Sequence, residues 1–324
     1  MRTILFTNHY EGKPREILKE IVRNKFELII LEENTRECLL KHIEDADYLL
    51  VSGRLEIDKE ILDKAVKLRM VQRTGVGLDN ISLEELGKRQ IPLYVNSGVN
   101  ADSVAEHTLM LMLACLKNNY EINRNMRQGV WDKQKTGIRN REIRGKTVGL
   151  IGFGNIGQKT AILLKAFGAD VIYYKRNRLS EDIEEKLGVR YESFDSLLKQ
   201  SDIISLHCPY NEKTGVIIGQ KEMSKMKEGT ILINTARGKL VDETAMYEAL
   251  KSGKISSAGL DVYHQEPIRA DCRLLKLKNV NMSPHIGGVT YESFYAMMYR
   301  AVENIEIFDK GRVEDLEPKK YTRG

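Results

Sequence analysis

Twice along this chain, short and nearly continuous apolar runs alternate with segments whose apolar residues recur three and four positions apart. Few folds accommodate that pattern. In the first series the runs are TILFT (3–7), FELIIL (26–31), YLLVSG (48–53), RMVQRTG (69–75) and IPLYVN (91–96). Between them KPREILKEIVRN, TRECLLKHIEDA, IDKEILDKAV and SLEELGKRQ keep the helical period. A strand that is apolar on both faces must be covered on both, so the pattern predicts a parallel sheet with helices on either side. The second series begins at TVGLIGF (147–153) and continues through ADVIYY, SDIISLH, TILINTA, SAGLDVY and NVNMSPH, again with helical segments between. Two α/β domains, each a doubly wound parallel sheet, suit 324 residues better than a single core does. Residues 100–131 read as one long helical stretch, and residues 290–311 as a closing helix. The Tyr291, Phe294, Tyr295 and Met298 stripe of that last helix reads as core or helix-packing surface.

Composition narrows the class. Apolar residues make up 42% and charged residues 30%, as in a globular protein that is neither disordered nor membrane-embedded. The net charge of +5, from 51 cations against 46 anions, is spread thinly and gives no dense basic patch for nucleic acid. Cys38, Cys115, Cys208 and Cys272 form no CxxC pair and no ligand-like cluster with histidine along the sequence, so they read as reduced thiols and no metal is expected. The N-terminus turns polar by Thr7, and the longest apolar run, TLMLMLACL (108–116), is about half of what spans a bilayer. A cytoplasmic protein without a membrane or nucleic-acid partner is expected.

The strongest local motif is GLIGFGNIG, with Gly152, Gly154 and Gly157 spaced G-x-G-x-x-G between a strand and a helix. The first glycine permits a tight turn, the second lets backbone approach a pyrophosphate, and the third lets helix and strand pack closely. The free N–H groups of the following helix then face phosphate oxygens. In this strand–turn–helix context the motif predicts a Rossmann-type dinucleotide-binding domain. NAD-binding versions place a carboxylate at the end of the second strand, roughly 20 residues on, where it accepts hydrogen bonds from ribose hydroxyls. Here, 18 residues past Gly157, stands Lys175, followed by Arg176 and Arg178. Lysine cannot accept those bonds, but these cations suit the extra 2′-phosphate of NADP. NADP is therefore the expected cofactor, with NAD possible, and solvated surface cations are the plain alternative.

Three further segments put polar residues just past strand ends, where open α/β sheets bind ligands: NTARG (234–238), GLDVYHQEP (259–267) and SPHIGG (283–288). Arg237, Glu266 and His285 are types that can hold a carboxylate, orient an imidazole and move a proton. Singly, they also read as a surface arginine, a loop glutamate and a half-buried histidine.

Together with RTGVGLDNI (73–81), GVNADSVAEHTLMLMLA (98–114), LHCPYNEKT (206–214) and INTARGKLVDE (233–243), these segments resemble the D-isomer-specific 2-hydroxyacid dehydrogenase family over nearly the whole chain. The resemblance implies an NAD(P)-dependent oxidoreductase. Residues 1–99 with 286–324 would form a flavodoxin-like substrate domain, and 100–285 the dinucleotide-binding domain. It further implies His285 as acid–base, Glu266 as its partner, and Arg237 as the group that binds the substrate carboxylate. Asp261 would orient the nicotinamide carboxamide, and Gly75, Val76 and Gly77 would form a backbone nest for the substrate carboxylate. Asn155, Ile156, Cys208, Pro209, Thr214, Thr235 and Ala236 join the nucleotide-binding set. Arg54, after a strand of the substrate domain, could face an anionic substrate tail.

Lys175 stands where most members carry aspartate, which is similar to NADPH-using glyoxylate and hydroxypyruvate reductases. The implied reaction is reduction of a small 2-oxo acid to the D-2-hydroxy acid. Residues 118–146, with Trp131, resemble the arm through which members form homodimers. No segment matches the C-terminal regulatory domain of long phosphoglycerate dehydrogenases, so control through one is not expected. A nucleotide-sensing interaction protein of the C-terminal binding protein type shares the triad and stays open at this point.

Overall fold

In a computed structural model, which describes residues 1–53, 55–211 and 214–316, the apolar runs of the first series become five parallel strands. They are β1 (Thr3–Phe6), β2 (Glu27–Ile30), β3 (Tyr48–Val51), β4 (Met70–Arg73) and β5 (Leu93–Val95), arranged β2-β1-β3-β4-β5. Helices α1 (Gly12–Val22), α2 (Arg36–His42), α3 (Lys59–Lys64) and α4 (Leu83–Lys88) connect them. Alternate residues of one strand feed two separate cores. Ile4, Phe6 and Leu50 pack with Leu18 of α1, whereas Leu5, Leu49 and Val51 pack with Leu39 of α2 and Ile61 of α3. Burying such a side chain stabilises the fold by about 1.5–3 kcal/mol, which is why the strand must be apolar at every position.

The second series gives a seven-stranded parallel sheet of order β12-β11-β10-β9-β6-β7-β8. Its strands are β6 (Thr147–Ile151), β7 (Asp170–Tyr174), β8 (Arg190–Tyr191), β9 (Ile203–Leu206), β10 (Thr230–Asn234), β11 (Ile255–Leu260) and β12 (Val280–Met282). The strand order reverses at β6, and the crevice beyond such a switch point is where open sheets bind ligands. Helices α5 (Ala101–Leu116), α6 (Asn119–Arg127), α7 (Lys133–Gly137), α8 (Asn155–Ala166), α9 (Glu181–Leu187), α10 (Phe194–Gln200), α11 (Gln220–Lys225) and α12 (Glu243–Ser252) complete this unit. Both sheets are of the expected class; the two-residue β8 was not anticipated.

Three expectations need correction. The single helix over 100–131 is broken: Asn118 takes left-handed backbone (φ 50°), a conformation asparagine tolerates, and its side chain donates to Asn140 Oδ1 at 3.0 Å. The domain boundaries also move. One unit comprises residues 1–100 with Tyr291 onward, the other 101–290. Residues 286–290 stay with the nucleotide unit because the backbone of Ile286 and Gly287 is bonded into it, as described below. In the closing helix α13 (Tyr291–Asp309), Phe294 and Met298 are buried in the first unit's core, but Tyr291 and Tyr295 of the same stripe are exposed. No helix of the described residues is long and apolar enough to cross a membrane.

Candidate functional site

The predicted nucleotide and acid–base residues gather along one edge of the seven-stranded sheet, the carboxyl ends of its strands. At the end of β6, Gly152 has φ 92°, and a side chain there would lie 2.5 Å from the His207 backbone. A side chain at Gly157 would meet the Gly152 carbonyl at 2.7 Å, so helix α8 packs as close as the motif requires. Gly154 caps α8, with nothing within 4 Å of where its side chain would project. No side chain caps this N-terminus and no acidic residue occupies its first turn, which begins at Asn155 and Ile156. A pyrophosphate fits that cradle of open space and backbone donors.

At the end of β7, Lys175 is half-buried and Arg176 exposed, and neither has a carboxylate partner among the described residues. Arg178 is different, because its charge already has a partner. Its guanidinium donates to both oxygens of Glu184, at 2.8 Å each. The Arg178 charge first, and a 2.6 Å hydrogen bond from the Tyr173 hydroxyl as well, hold the buried Glu184 carboxyl below the usual carboxylate range. Lys175 and Arg176 are the cations at this strand end without such a partner among the described residues.

Cys208 and Pro209 follow β9, and burial pushes the Cys208 thiol up to about 11, leaving it a neutral packing group. The Thr214 N–H donates to the Asn211 side chain at 2.9 Å within the same loop. After β10, the buried Thr235 hydroxyl lies 2.9 Å from that of Thr108 on α5, and the Ala236 N–H donates to Asn234 Oδ1 at 3.0 Å. Half-buried Arg237 follows, with Nη1 donating to the Ala236 carbonyl at 2.7 Å.

His285 and Glu266, 19 residues apart in the chain, meet: imidazole Nδ1 lies 2.7 Å from Glu266 Oε2. Glu266 Oε1 accepts from the Tyr263 N–H at 2.9 Å, which fixes the carboxylate. Donation from Nδ1 leaves Nε2 as the atom that can exchange a proton with a ligand.

Asp261 also has a structural part that the sequence did not show. It is 2% exposed, and both oxygens are engaged by the loop that carries His285. Oδ1 accepts from Ser283 Oγ (2.6 Å) and the Ile286 N–H (2.9 Å), and Oδ2 accepts from the Gly287 N–H (2.8 Å). Burial pushes this carboxyl up, but bonds from His107, Ser283 and the two N–H groups outweigh it and hold it below its ordinary range. His107 on α5 reaches the Ser283 hydroxyl at 2.7 Å, and Ser103, one helical turn earlier, donates to the Gly287 carbonyl at 2.7 Å. Asp261 therefore clamps the His285 loop. His107, Ser283 and Ser103 were missed in the sequence. The available signal was slight, because Ser103 and His107 share the first half of α5 with Asp102, Glu106 and Thr108 and do not stand out from them.

In the other unit, Gly75, Val76 and Gly77 follow β4, where Arg73 Nε donates to the Gly77 carbonyl at 3.0 Å. Gly75 does not take the left-handed backbone of a nest. Arg54 lies outside the described residues. The reading that cysteine and histidine do not cluster is also corrected: α2 brings Cys38 and His42 together with Glu32.

The profile of the family described as D-isomer specific 2-hydroxyacid dehydrogenase, NAD binding domain, matches residues 109–287. A glyoxylate reductase of Thermococcus litoralis is 41% identical over 283 residues, covering 86% of this chain and 85% of that one. A hydroxypyruvate reductase of Thermotoga maritima is 39% identical over 289 residues, 88% of this chain and 92% of that one. Among solved structures, the D-lactate dehydrogenase of Aquifex aeolicus, complexed with NAD and lactic acid, superposes with a TM-score of 0.86 at 31% identity, covering 97% of each chain.

Proposed function

Because this chain belongs to the D-isomer specific 2-hydroxyacid dehydrogenase family, we propose that it is an oxidoreductase reducing a small 2-oxo acid, glyoxylate- or hydroxypyruvate-like, with NADPH preferred over NADH. The observation that carries the reading is the His285–Glu266 pair at the same sheet edge as the glycine cradle. When bound, the dinucleotide supplies the hydride. His285 Nε2 gives the proton to the carbonyl oxygen as that oxygen gains charge. Glu266 fixes the ring through Nδ1, so the donor atom does not have to be found by rotation. Arg237 holds the substrate carboxylate, with which guanidinium makes two parallel bonds. Lys175 and Arg176, which lack carboxylate partners among the described residues, bind the 2′-phosphate.

The test is turnover of a 2-oxo acid panel with NADPH and NADH side by side, in the wild-type chain and in Lys175→Asp/Arg176→Ala. NADPH should be preferred, and the double variant should shift the ratio towards NADH by about 10–100-fold, the worth of one or two charge-assisted bonds. An unchanged ratio returns those cations to the solvated surface. Tight NADPH binding with no acid reduced overturns the enzymatic reading in favour of a nucleotide-sensing interaction protein.

A further inference from the structure

Far along the sequence from the residues above, three side chains of different donor chemistry converge. Cys38 Sγ lies 2.9 Å and His42 Nε2 3.1 Å from the same oxygen, Glu32 Oε2, and all three atoms are within 4.8 Å of one another. Among the described residues this is the one group of its kind. We propose that Glu32, Cys38 and His42 bind a borderline-soft divalent cation, Zn²⁺, with its fourth position open to water.

The local fold arranges the three donors before any ion arrives. Cys38 and His42 stand four apart on α2 and therefore share a face. Thr35 caps that helix by accepting from the Cys38 N–H at 3.3 Å, which fixes its first turn. Glu32 comes from the β2–α2 loop, which is tied to the end of β1. There the His9 N–H donates to Asn34 Oδ1 at 2.5 Å, and the His9 ring lies 2.9 Å from the Leu31 carbonyl.

The chemistry matches zinc. Thiolate, imidazole and carboxylate are its usual ligands, at about 2.0–2.3 Å. Tetrahedral bonds of that length separate neighbouring donors by about 3.3–3.5 Å, so the present contacts need open by only about half an ångström. Thiolate and carboxylate together neutralise a doubly charged ion. Binding displaces the thiol proton, and one proton is released per ion. The Glu32 side chain is 60% exposed, which leaves an entry path and the fourth position. Lys41 lies 3.9 Å from the other oxygen, Oε1, and leaves Oε2 to the ion.

The experiment is titration of the metal-stripped full chain with Co²⁺, followed by displacement with Zn²⁺. A thiolate-to-cobalt charge-transfer band saturating at one equivalent is expected, with Zn²⁺ abolishing it and raising Tm. Cys38→Ser should lose the band, and His42→Gln should weaken binding at least about tenfold, both with unchanged far-UV spectra. No band in the wild-type chain, or a band that survives in Cys38→Ser, overturns the proposal. Neither readout depends on dehydrogenase activity, so the site and the proposed reaction fail independently.

Discussion

His285 carries the proposed proton from a strained position: its φ is 56°, left-handed backbone that a residue with a side chain adopts at a cost. The surrounding bonds over-determine that conformation, since Asp261 grips the N–H groups of the next two residues and Ser283 just before it. Two predictions belong at this scale. His285→Gln should lower kcat by about 10²–10⁴-fold while nucleotide Kd stays within a factor of two, because the imidazole acts on substrate. Equal loss of both would remove that role. Ser283→Ala removes the hydroxyl that touches both His107 and Asp261, and should cost about 1–2 kcal/mol in stability and lower kcat more than it changes nucleotide Kd. Ser283→Thr, which keeps a hydroxyl, should recover most of the rate; an Ala variant with wild-type kcat would reduce Ser283 to packing. Legibility at this scale followed chemistry carried by single positions. His285, Glu266 and Arg237 could be named because their types and strand-end positions made them candidates and the family resemblance gave each a role. His107 could not, because its partner Ser283 lies 176 residues away and only the fold supplies it.

At the scale of elements, strands were legible because burial on both faces demands unbroken apolar runs, whereas helix ends depended on punctuation that was sometimes absent. The break at Asn118 sits in a polar stretch without glycine or proline, so the periodicity ran through it. β8, two residues long and half-exposed, has no run to read. The segment beyond that break is unusual for its exposed apolar side chains: Trp131 is 78% and Ile138 79% exposed, with Tyr120 and Met126 also open to solvent. Exposed apolar side chains concentrated in one segment suit an interaction surface, and the proposed occupant is the same segment of a second copy. Sedimentation of the wild-type chain should give twice its 37.1 kDa mass. Trp131→Glu with Ile138→Asp should move the population to monomer while leaving thermal stability at low concentration unchanged. A wild-type monomer at micromolar concentration would dismiss the dimer.

At the scale of the whole molecule, the folded state and its pH dependence are linked through His207. Its backbone follows β9 and closes against the glycine turn: the His207 N–H donates to the Ile151 carbonyl at 2.7 Å, and its own carbonyl carbon is what a Gly152 side chain would strike. The ring is held 2.9 Å from the Ser205 hydroxyl, and burial pushes its pKa from 6.5 down to about 4. The unfolded chain therefore binds a proton below pH 6.5 that the folded chain refuses, and stability falls as pH drops. The stabilisation is fully present above about pH 6.5 and is lost as pH falls through about 4, a change of about 3 kcal/mol for this one group. This window lies above the range in which Asp261 and Glu184, both held below their ordinary pKa values, give up their own contributions. Urea unfolding at pH 7 and pH 5 separates the effects. The wild-type chain should lose stability between these values, and His207→Gln, which has nothing to titrate there, should lose markedly less. If both lose the same amount, the ring takes up its proton in the folded state, and the turn behind the glycine cradle opens readily enough to admit it.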